Sequence, residues 1–410
     1  MSRIVVLSAG THPEPAFLAA GASRAGFSTM FVSSALWPSD HPLMNLVRGS
    51  SLVPQRFKHE ILRRELPLGL EMSNTRRRAA FGELLLQSGM RLSPKRTREM
   101  VRARTLSFRR AAGHFVAEHK GELEFVIAQY TSALDAFRSA GAAKRVLLYP
   151  IAHHRWMRDF LGQEAERNPD WAPFLQGHDI LGEDEADLDS EIELADLIIV
   201  PSSFARDTFI QAGVAGSRIR VVPLGTDIST IPQATRTDRF TVMFAGQLNQ
   251  RKGISYLLDA FDRAQIPEAR LVLIGGAGED IRTHIRRNYP HVDIQGTRPR
   301  WKLKLAMAEA DVLVMPSLAE GFGLVALEAM SVGTPAIVTP HTFGGDVITD
   351  GIDGWTTPVG QSEDLARLLA SVASDREQLA RVSDAAVATS HRFSWDEYGS
   401  RAMSAIGVVR

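Results

Sequence analysis

Val312-Leu-Val-Met-Pro-Ser-Leu-Ala-Glu320-Gly-Phe-Gly323-Leu-Val-Ala-Leu-Glu328-Ala-Met330 is the stretch that decides the architecture. Residues 312–315 are an unbroken apolar run of the kind that forms a buried parallel strand. Residues 324–330 read as a helix that is apolar apart from Glu328. Between them Gly321 and Gly323 make a tight strand-to-helix turn whose amides can point at the hydroxyl groups of a ligand. Glu328 is an awkward charge on an apolar helix unless it has a partner. A carboxylate there can accept two hydrogen bonds from the vicinal hydroxyls of a ribose. The plainer roles are a helix cap for Glu320 and a salt bridge for Glu328.

A second unit of the same form lies upstream. The apolar run 240–244 is followed by Ala245-Gly-Gln-Leu-Asn-Gln-Arg251-Lys252-Gly253 and then by a helical pattern over 254–263. Gly246 lets backbone come close to a ligand. Arg251 and Lys252 stand at the positive end of the following helix, which suits the oxygens of a diphosphate. Two fixed cations also stabilise a departing diphosphate without a metal. Taken alone, such a pair is ordinary surface charge.

Working outward, short β-branched runs at 4–7, 29–32, 125–128, 146–149 and 197–200 are expected to form one sheet. Those at 240–244, 270–274, 292–295, 312–315 and 335–338 are expected to form another. Helical patterns such as 254–263 and 302–310 lie between them. This alternation implies parallel sheets with right-handed crossovers, and ligands outside the carboxyl ends of the strands. A chain of 410 residues suits two domains of roughly 200 residues each. Residues 226–238, with Pro232 and little periodicity, read as the linker.

The chain is 44% apolar and 23% charged, ordinary values for a soluble protein. Lys plus Arg equals Asp plus Glu at 47 each, which gives no reason to expect nucleic acid as a partner. With no cysteine, disulfides, thiolate catalysis and Cys-ligated zinc are excluded. Residues 4–7 are too short a run for a signal-peptide core, and no stretch has the roughly 18 apolar residues of a membrane span. A cytoplasmic location is expected. One basic stretch stands out between residues 55 and 110, with Arg63, Arg64, Arg76, Arg77, Arg78, Arg91, Lys95, Arg96, Arg98, Arg102, Arg104, Arg109 and Arg110 among apolar residues. It reads as a helical insertion that can lie on the inner face of an anionic membrane or attract an anionic acceptor. A solvated helix face is the bland alternative.

The Glu320 to Glu328 spacing, with Gly-Phe-Gly between, resembles the paired-glutamate signature of retaining GT-B glycosyltransferases of the family 4 type, the group 1 glycosyl transferases. The resemblance extends over nearly all of the chain beyond about residue 190. It includes Ala195-Asp-Leu-Ile-Ile-Val-Pro-Ser-Ser203, Arg220-Val-Val-Pro-Leu-Gly-Thr-Asp227, Leu273-Ile-Gly-Gly-Ala-Gly278 and Gly344-Gly-Asp-Val-Ile-Thr-Asp-Gly-Ile-Asp-Gly354. It implies an α/β chain of GT-B fold, two Rossmann-like domains with parallel sheets facing a central cleft. Residues 1–230 would bind the acceptor and 231–392 the nucleotide sugar, while a C-terminal helix in 393–410 returns to the first domain.

The resemblance also implies roles. Arg251 and Lys252 would hold the diphosphate, and Glu328 the ribose. Glu320, with amides near Gly321, Phe322, Gly323 and Leu324, would orient the sugar, and Gly246 would adjoin the donor. No metal or other cofactor is expected, and no side chain need act as nucleophile. Family members often carry a histidine near the donor sugar, and Tyr149-Pro-Ile-Ala-His153-His154-Arg155 is the matching region. His153 is the preferred choice over His154. The family's first loop often holds two glycines near the acceptor. Here it is Ser8-Ala-Gly10-Thr-His12, so Gly10 alone matches and His12 is a further acceptor-side residue. The acceptor is a saccharide, a lipid-linked saccharide or a small molecule.

Asp187-Leu-Asp189 resembles the metal-binding acid pair of the other major glycosyltransferase fold. Within the acidic stretch 183–191 it reads instead as a solvated helix face. Residues 275–278 lack the full spacing of a dinucleotide fingerprint. A nucleotide-sugar epimerase on the same fold and a non-catalytic nucleotide-sugar-binding protein are the rival functions.

Overall fold

A computed structural model describes residues 3–10, 12–34, 36, 42–50, 66, 70, 73–77, 94–176, 184–227 and 239–407. Two parallel sheets, each wound by helices on both faces, make up the chain. The first contains β1 (Arg3–Ser8), β2 (Ser28–Ser33), β3 (Thr75–Arg77), β4 (Leu123–Gln129), β5 (Lys144–Leu148), β6 (Leu197–Val200) and β7 (Ile219–Val221), in the order β3-β2-β1-β4-β5-β6-β7. The second contains β8 (Thr241–Ala245), β9 (Arg270–Ile274), β10 (Asp293–Gln295), β11 (Val312–Met315), β12 (Ala336–Val338) and β13 (Trp355–Thr356), in the order β10-β9-β8-β11-β12-β13.

The central strands are apolar throughout because both their faces are covered. In β1, Ile4 and Val6 enter one buried cluster while Val5 and Leu7 enter another. In β8, Met243 and Ala245 face one way and Val242 and Phe244 the other. The helix Trp395–Ala405 lies against Pro13–Arg24 in the first half of the chain. Two glycines let these helices touch: a Cβ on Gly399 would stand 2.8 Å from the Phe17 carbonyl oxygen and 3.2 Å from the Gly21 Cα. Phe17 and Trp395 stack at 4.7 Å beside them.

Three strands were not expected from the sequence: β3, β7 and β13, all at sheet edges. Thr75–Arg77 lies within the stretch expected to be a helical insertion, yet it pairs with β2 in parallel. The helix Pro94–Glu118 runs past residue 110 and buries Phe108, Ala112, Phe115 and Val116, so this part is core rather than insertion. Most of the basic stretch, including Arg63, Arg64, Arg78, Arg91 and the side chains of Arg77, Lys95, Arg96 and Arg98, lies outside the described residues. So does the expected linker beyond Asp227. No helix among the described residues is long and apolar enough to cross a membrane.

Candidate active site

The winding direction of the second sheet reverses between β8 and β11, which are neighbours. Such a switch point opens a crevice at the strands' carboxyl ends. The loops 245–253 and 316–323 both emerge there, and they are tied together. Leu318 N donates to Arg251 O at 2.9 Å, and Arg251 Nη1 donates to Ala319 O at 2.7 Å. Gly253, at φ +72°, seats the first loop so closely on the second that a Cβ would come within 2.0 Å of Pro316 O.

Gln250–Lys252 form a single 3-10 turn, capped by the Asn249 side chain, which accepts from Lys252 N at 3.1 Å. Lys252 is ion-paired with Glu320, and Arg251 lies 3.6 Å from the same carboxylate. All three side chains are about one-sixth exposed. Two cations therefore share one carboxylate where water is scarce. Burial, and then the neighbouring Arg251, pull Lys252 well below the ordinary lysine range. Burial also lowers Arg251. An added anion would favour the charged forms of both.

The glycine turn is shaped by three approaches. A Cβ on Gly321 would stand 1.7 Å from Pro150 O, so the first domain presses directly on this residue. Ser202 Oγ donates to Gly321 O at 2.6 Å, and Ser203 N and Oγ donate to Asp346 at 2.8 and 2.6 Å. Gly323 has φ +100°, and a Cβ there would collide with Met315 Cε at 2.2 Å. The Phe322 ring is buried 5.0 Å from Phe343, so only its main chain can serve a ligand. The helix Leu324–Met330 makes its first bond from Ala326 N to Gly323 O, at 2.9 Å. Leu324's amide, ahead of that bond, is one of the uncommitted donors of a helix start, while Gly321 N donates to Glu320 Oε1 at 3.4 Å. Gly246, expected to admit a ligand, turns at φ +146°. Gly275 packs against it so closely that a Cβ there would fall 1.6 Å from Gly246 O.

Glu328 has a protein partner. Arg300 donates to its Oε1 from Nε at 2.9 Å and from Nη2 at 2.6 Å, and reaches Asp227 Oδ2 with Nη1 at 2.7 Å. Against the cost of burial, Glu328 and Asp227 hold the Arg300 pKa above its ordinary value. The plainer reading of Glu328, an ion pair, is thus present. Sequence reasoning missed Arg300, though a carboxylate on an apolar helix was itself the sign that a cation must lie opposite.

Across the domain contact, Ala152, Met157 and Leu161 pack with Leu318 and Ala319 in one buried cluster. This brings the histidine loop against the glutamate turn. His153 is buried and caps the helix His154–Arg167, its Nδ1 accepting from Arg155 N at 3.2 Å. Its proton therefore sits on Nε2. Burial, and then His154, push its pKa down to about 3, so the ring is neutral at physiological pH. His154 is equally buried and bridges Asp189 at 3.0 Å and the Tyr149 hydroxyl at 3.3 Å. Gly10 follows β1 beside Gln129 at the end of β4, the first sheet's own switch point. His12 is exposed, 3.8 Å from Glu14.

The acidic stretch is not a solvated face. Asp187 pairs with Arg109, and Asp189 with Arg155 and His154. Glu191 is buried and accepts from the amides of Thr131, Ala133 and Leu134 at 2.7–3.0 Å. Its neighbours' cations lie far away in sequence, which is why the stretch looked unpartnered. Among the described residues, His153, His154 and Asp189 bring one potential metal ligand each within 4.8 Å. The two rings stack at 4.4 Å and Arg155 occupies the carboxylate, an arrangement poorly directed at one ion.

Residues 227–388 match the family described as Glycosyl transferases group 1. A phosphatidyl-myo-inositol mannosyltransferase of Mycolicibacterium smegmatis is 28% identical over 221 residues, 52% of this chain and 57% of that protein. A D-inositol 3-phosphate glycosyltransferase of Xylanimonas cellulosilytica is 27% identical over 336 residues, 70% of this chain and 78% of that protein. The crystal structure of Anabaena Alr3699/HepE in complex with UDP-glucose matches with a TM-score of 0.63 at 19% identity, over 100% of both chains. The chain spans a little over half the length of the first of these relatives. Two Rossmann-like domains in contact through loops at the carboxyl ends of their strands, where Pro150 and Ser202 meet Gly321, make the GT-B fold. The stretch that matches the group 1 glycosyltransferases holds Arg251, Lys252, Glu320 and Glu328.

Proposed function

We propose that the chain transfers a sugar from a nucleotide-diphosphate sugar to an acceptor hydroxyl, with retention of anomeric configuration. The observation that carries this is the Arg251–Lys252 pair sharing one carboxylate at the switch point, beside the turn that starts the Glu328 helix. The diphosphate supplies the missing negative charge. Glu328 takes the ribose hydroxyls on Oε2, with Oε1 held by Arg300. Glu320 and the amides of Phe322, Gly323 and Leu324 orient the sugar. His153, neutral and protonated on Nε2, offers an N–H to a sugar hydroxyl. Gly10 and His12 stand on the acceptor side.

In the reaction the acceptor oxygen bonds to the anomeric carbon on the face the nucleotide leaves. The bond from that carbon to the phosphate oxygen breaks, and its electron pair goes to the diphosphate. The acceptor proton passes to a phosphate oxygen. Arg251 and Lys252 stabilise the charge that develops there. The relatives' names, with phosphatidyl-myo-inositol and inositol 3-phosphate, favour an anionic acceptor, and the solved neighbour with UDP-glucose favours a nucleotide-sugar donor. A cytoplasmic site of action with contact to an anionic membrane fits that acceptor class. Flotation with anionic and neutral liposomes checks it, and no binding to either rejects the membrane contact.

A thermal-shift screen against nucleotide sugars tests the donor, since bound ligand raises stability by mass action. No stabilisation by any of them counts against the reading. Incubation with the stabilising donor alone must leave it unisomerised; an epimerised product would replace a transferase with an epimerase. Glu328→Ala is expected to raise donor KM by about 10- to 100-fold, the loss of a charged hydrogen bond being worth about 1.5–3 kcal/mol. An unchanged KM removes Glu328 from the donor site. Because two side-chain cations already face the diphosphate, transfer should persist in excess chelator. Strict dependence on manganese or magnesium would contradict this.

A further inference from the structure

After the helix His154–Arg167 the first half of the chain leaves its own sheet and packs on the second. Trp171 is buried among Phe240, Val242, Leu257 and Ile281 and meets the His284 ring edge-on at 4.7 Å. Asn168 Nδ2 donates to Ser255 Oγ at 3.2 Å. Gln176 Oε1 accepts from Asn249 Nδ2 at 3.2 Å. Glu164, 1% exposed, accepts from Gln250 Nε2 at 2.8 Å and from the Tyr256 hydroxyl at 2.9 Å on each oxygen. Arg167 lies 3.8 Å from it. A carboxylate this deep is thus held mainly by uncharged donors of the other domain, and the transfer chemistry makes no use of it.

The donors to Gln176 and Glu164 include Asn249 and Gln250, the two residues directly before the cations. Asn249 caps Lys252 N with Oδ1 and reaches Gln176, on the arm 164–176, with Nδ2. Gln250 opens the cationic turn and is fastened to Glu164. Arg251 and Lys252 repel each other, and one carboxylate offsets only half of their charge. A turn carrying them needs outside anchors to keep both side chains aimed at one small anion before that anion arrives.

We propose that Glu164 and Gln176 are positioning residues for the donor diphosphate, acting through Gln250 and Asn249. This rests on the donor-site reading above. Glu164 also lies on the helix that His153 caps, so one helix of the first domain sets both the histidine and the cationic turn.

The test measures UDP and GDP binding to the full chain by calorimetry, together with melting temperature. Glu164→Ala is expected to weaken the nucleotide that binds by at least tenfold. Glu164→Gln, whose amide oxygen still accepts from Gln250, should recover most of that loss. Gln176→Ala should weaken binding severalfold. A purely structural role would lower the melting temperature of Glu164→Ala while its affinity, measured where it is folded, stays that of the unmodified chain; that result overturns the inference. Should Glu164→Ala fail to fold, unchanged affinity in Gln176→Ala overturns it instead. Lys252→Ala separates the two levels. If it weakens binding while the arm variants do not, the donor site stands and the arm's role falls. If it binds as the unmodified chain does, or if neither nucleotide binds that chain, the donor-site reading falls and takes this inference with it.

Discussion

Gly321→Ala is expected to reduce transfer by at least about a hundredfold while both domains stay folded. The added Cβ would stand 1.7 Å from Pro150 O, 2.6 Å from Pro150 C and 2.9 Å from Ile151 Cα. All three are backbone atoms, so no side chain can swing away. The first domain must move off the second at this point. That motion stretches the Ser202 bond to Gly321 O and draws the histidine loop from the glutamate turn. Misplacement of reacting groups by about 1 Å is enough to lose about a hundredfold in rate. The expected pattern is lost turnover, a melting temperature close to that of the unmodified chain and a larger radius of gyration in solution scattering. Unimpaired turnover would mean that the domain contact at Gly321 plays no part in the reaction.

Lys252→Ala is expected to lower kcat by about 10- to 100-fold and to affect KM less. A charged hydrogen bond is worth about 1.5–3 kcal/mol, and this one strengthens as charge moves onto the leaving diphosphate. The substitution also removes one of the two cations that share the Glu320 carboxylate. The same lysine predicts a pH dependence. Its pKa in the unliganded protein is well below the ordinary lysine range, because of burial and then Arg251. A bound diphosphate raises it again. Below the unliganded pKa the lysine is already charged and binding takes up no proton. Above it, binding must take up a proton, and affinity falls as pH rises until the liganded pKa is reached. Calorimetry in buffers of different ionisation enthalpy measures that uptake. Proton-neutral binding across the alkaline range, with normal kcat in Lys252→Ala, would exclude Lys252 from the diphosphate site.

The long alternating runs made the two parallel sheets readable in advance. Strands such as Val312–Met315 and Arg270–Ile274 appear where their apolar runs lie, because burial on both faces demands an unbroken run. The edge strands Thr75–Arg77, Ile219–Val221 and Trp355–Thr356 were invisible, since two or three residues cannot display a period. Within the site, Arg251, Lys252 and Glu320 were each singled out, but not their pairing between two distant loops. Arg300 was missed because nothing in its neighbourhood distinguishes it from surface charge until Glu328 is opposite. The acids at 187, 189 and 191 were misjudged for the same reason: Arg109, Arg155 and the amides of Thr131, Ala133 and Leu134 reach them only in the fold.

What the amino-acid order determined unaided is local: strand against helix, the two glycine turns, and cations and carboxylates placed just past strand ends. Those features follow from neighbours within about one turn or one strand, so a linear reading contains them. Only the tertiary structure decided which charges meet and which glycine is pressed by which backbone. It alone decided that Glu164–Gln176 belongs as much to the second sheet as to the first. Such outcomes depend on distances between atoms far apart along the chain, and those distances exist only once the sheets are wound and packed.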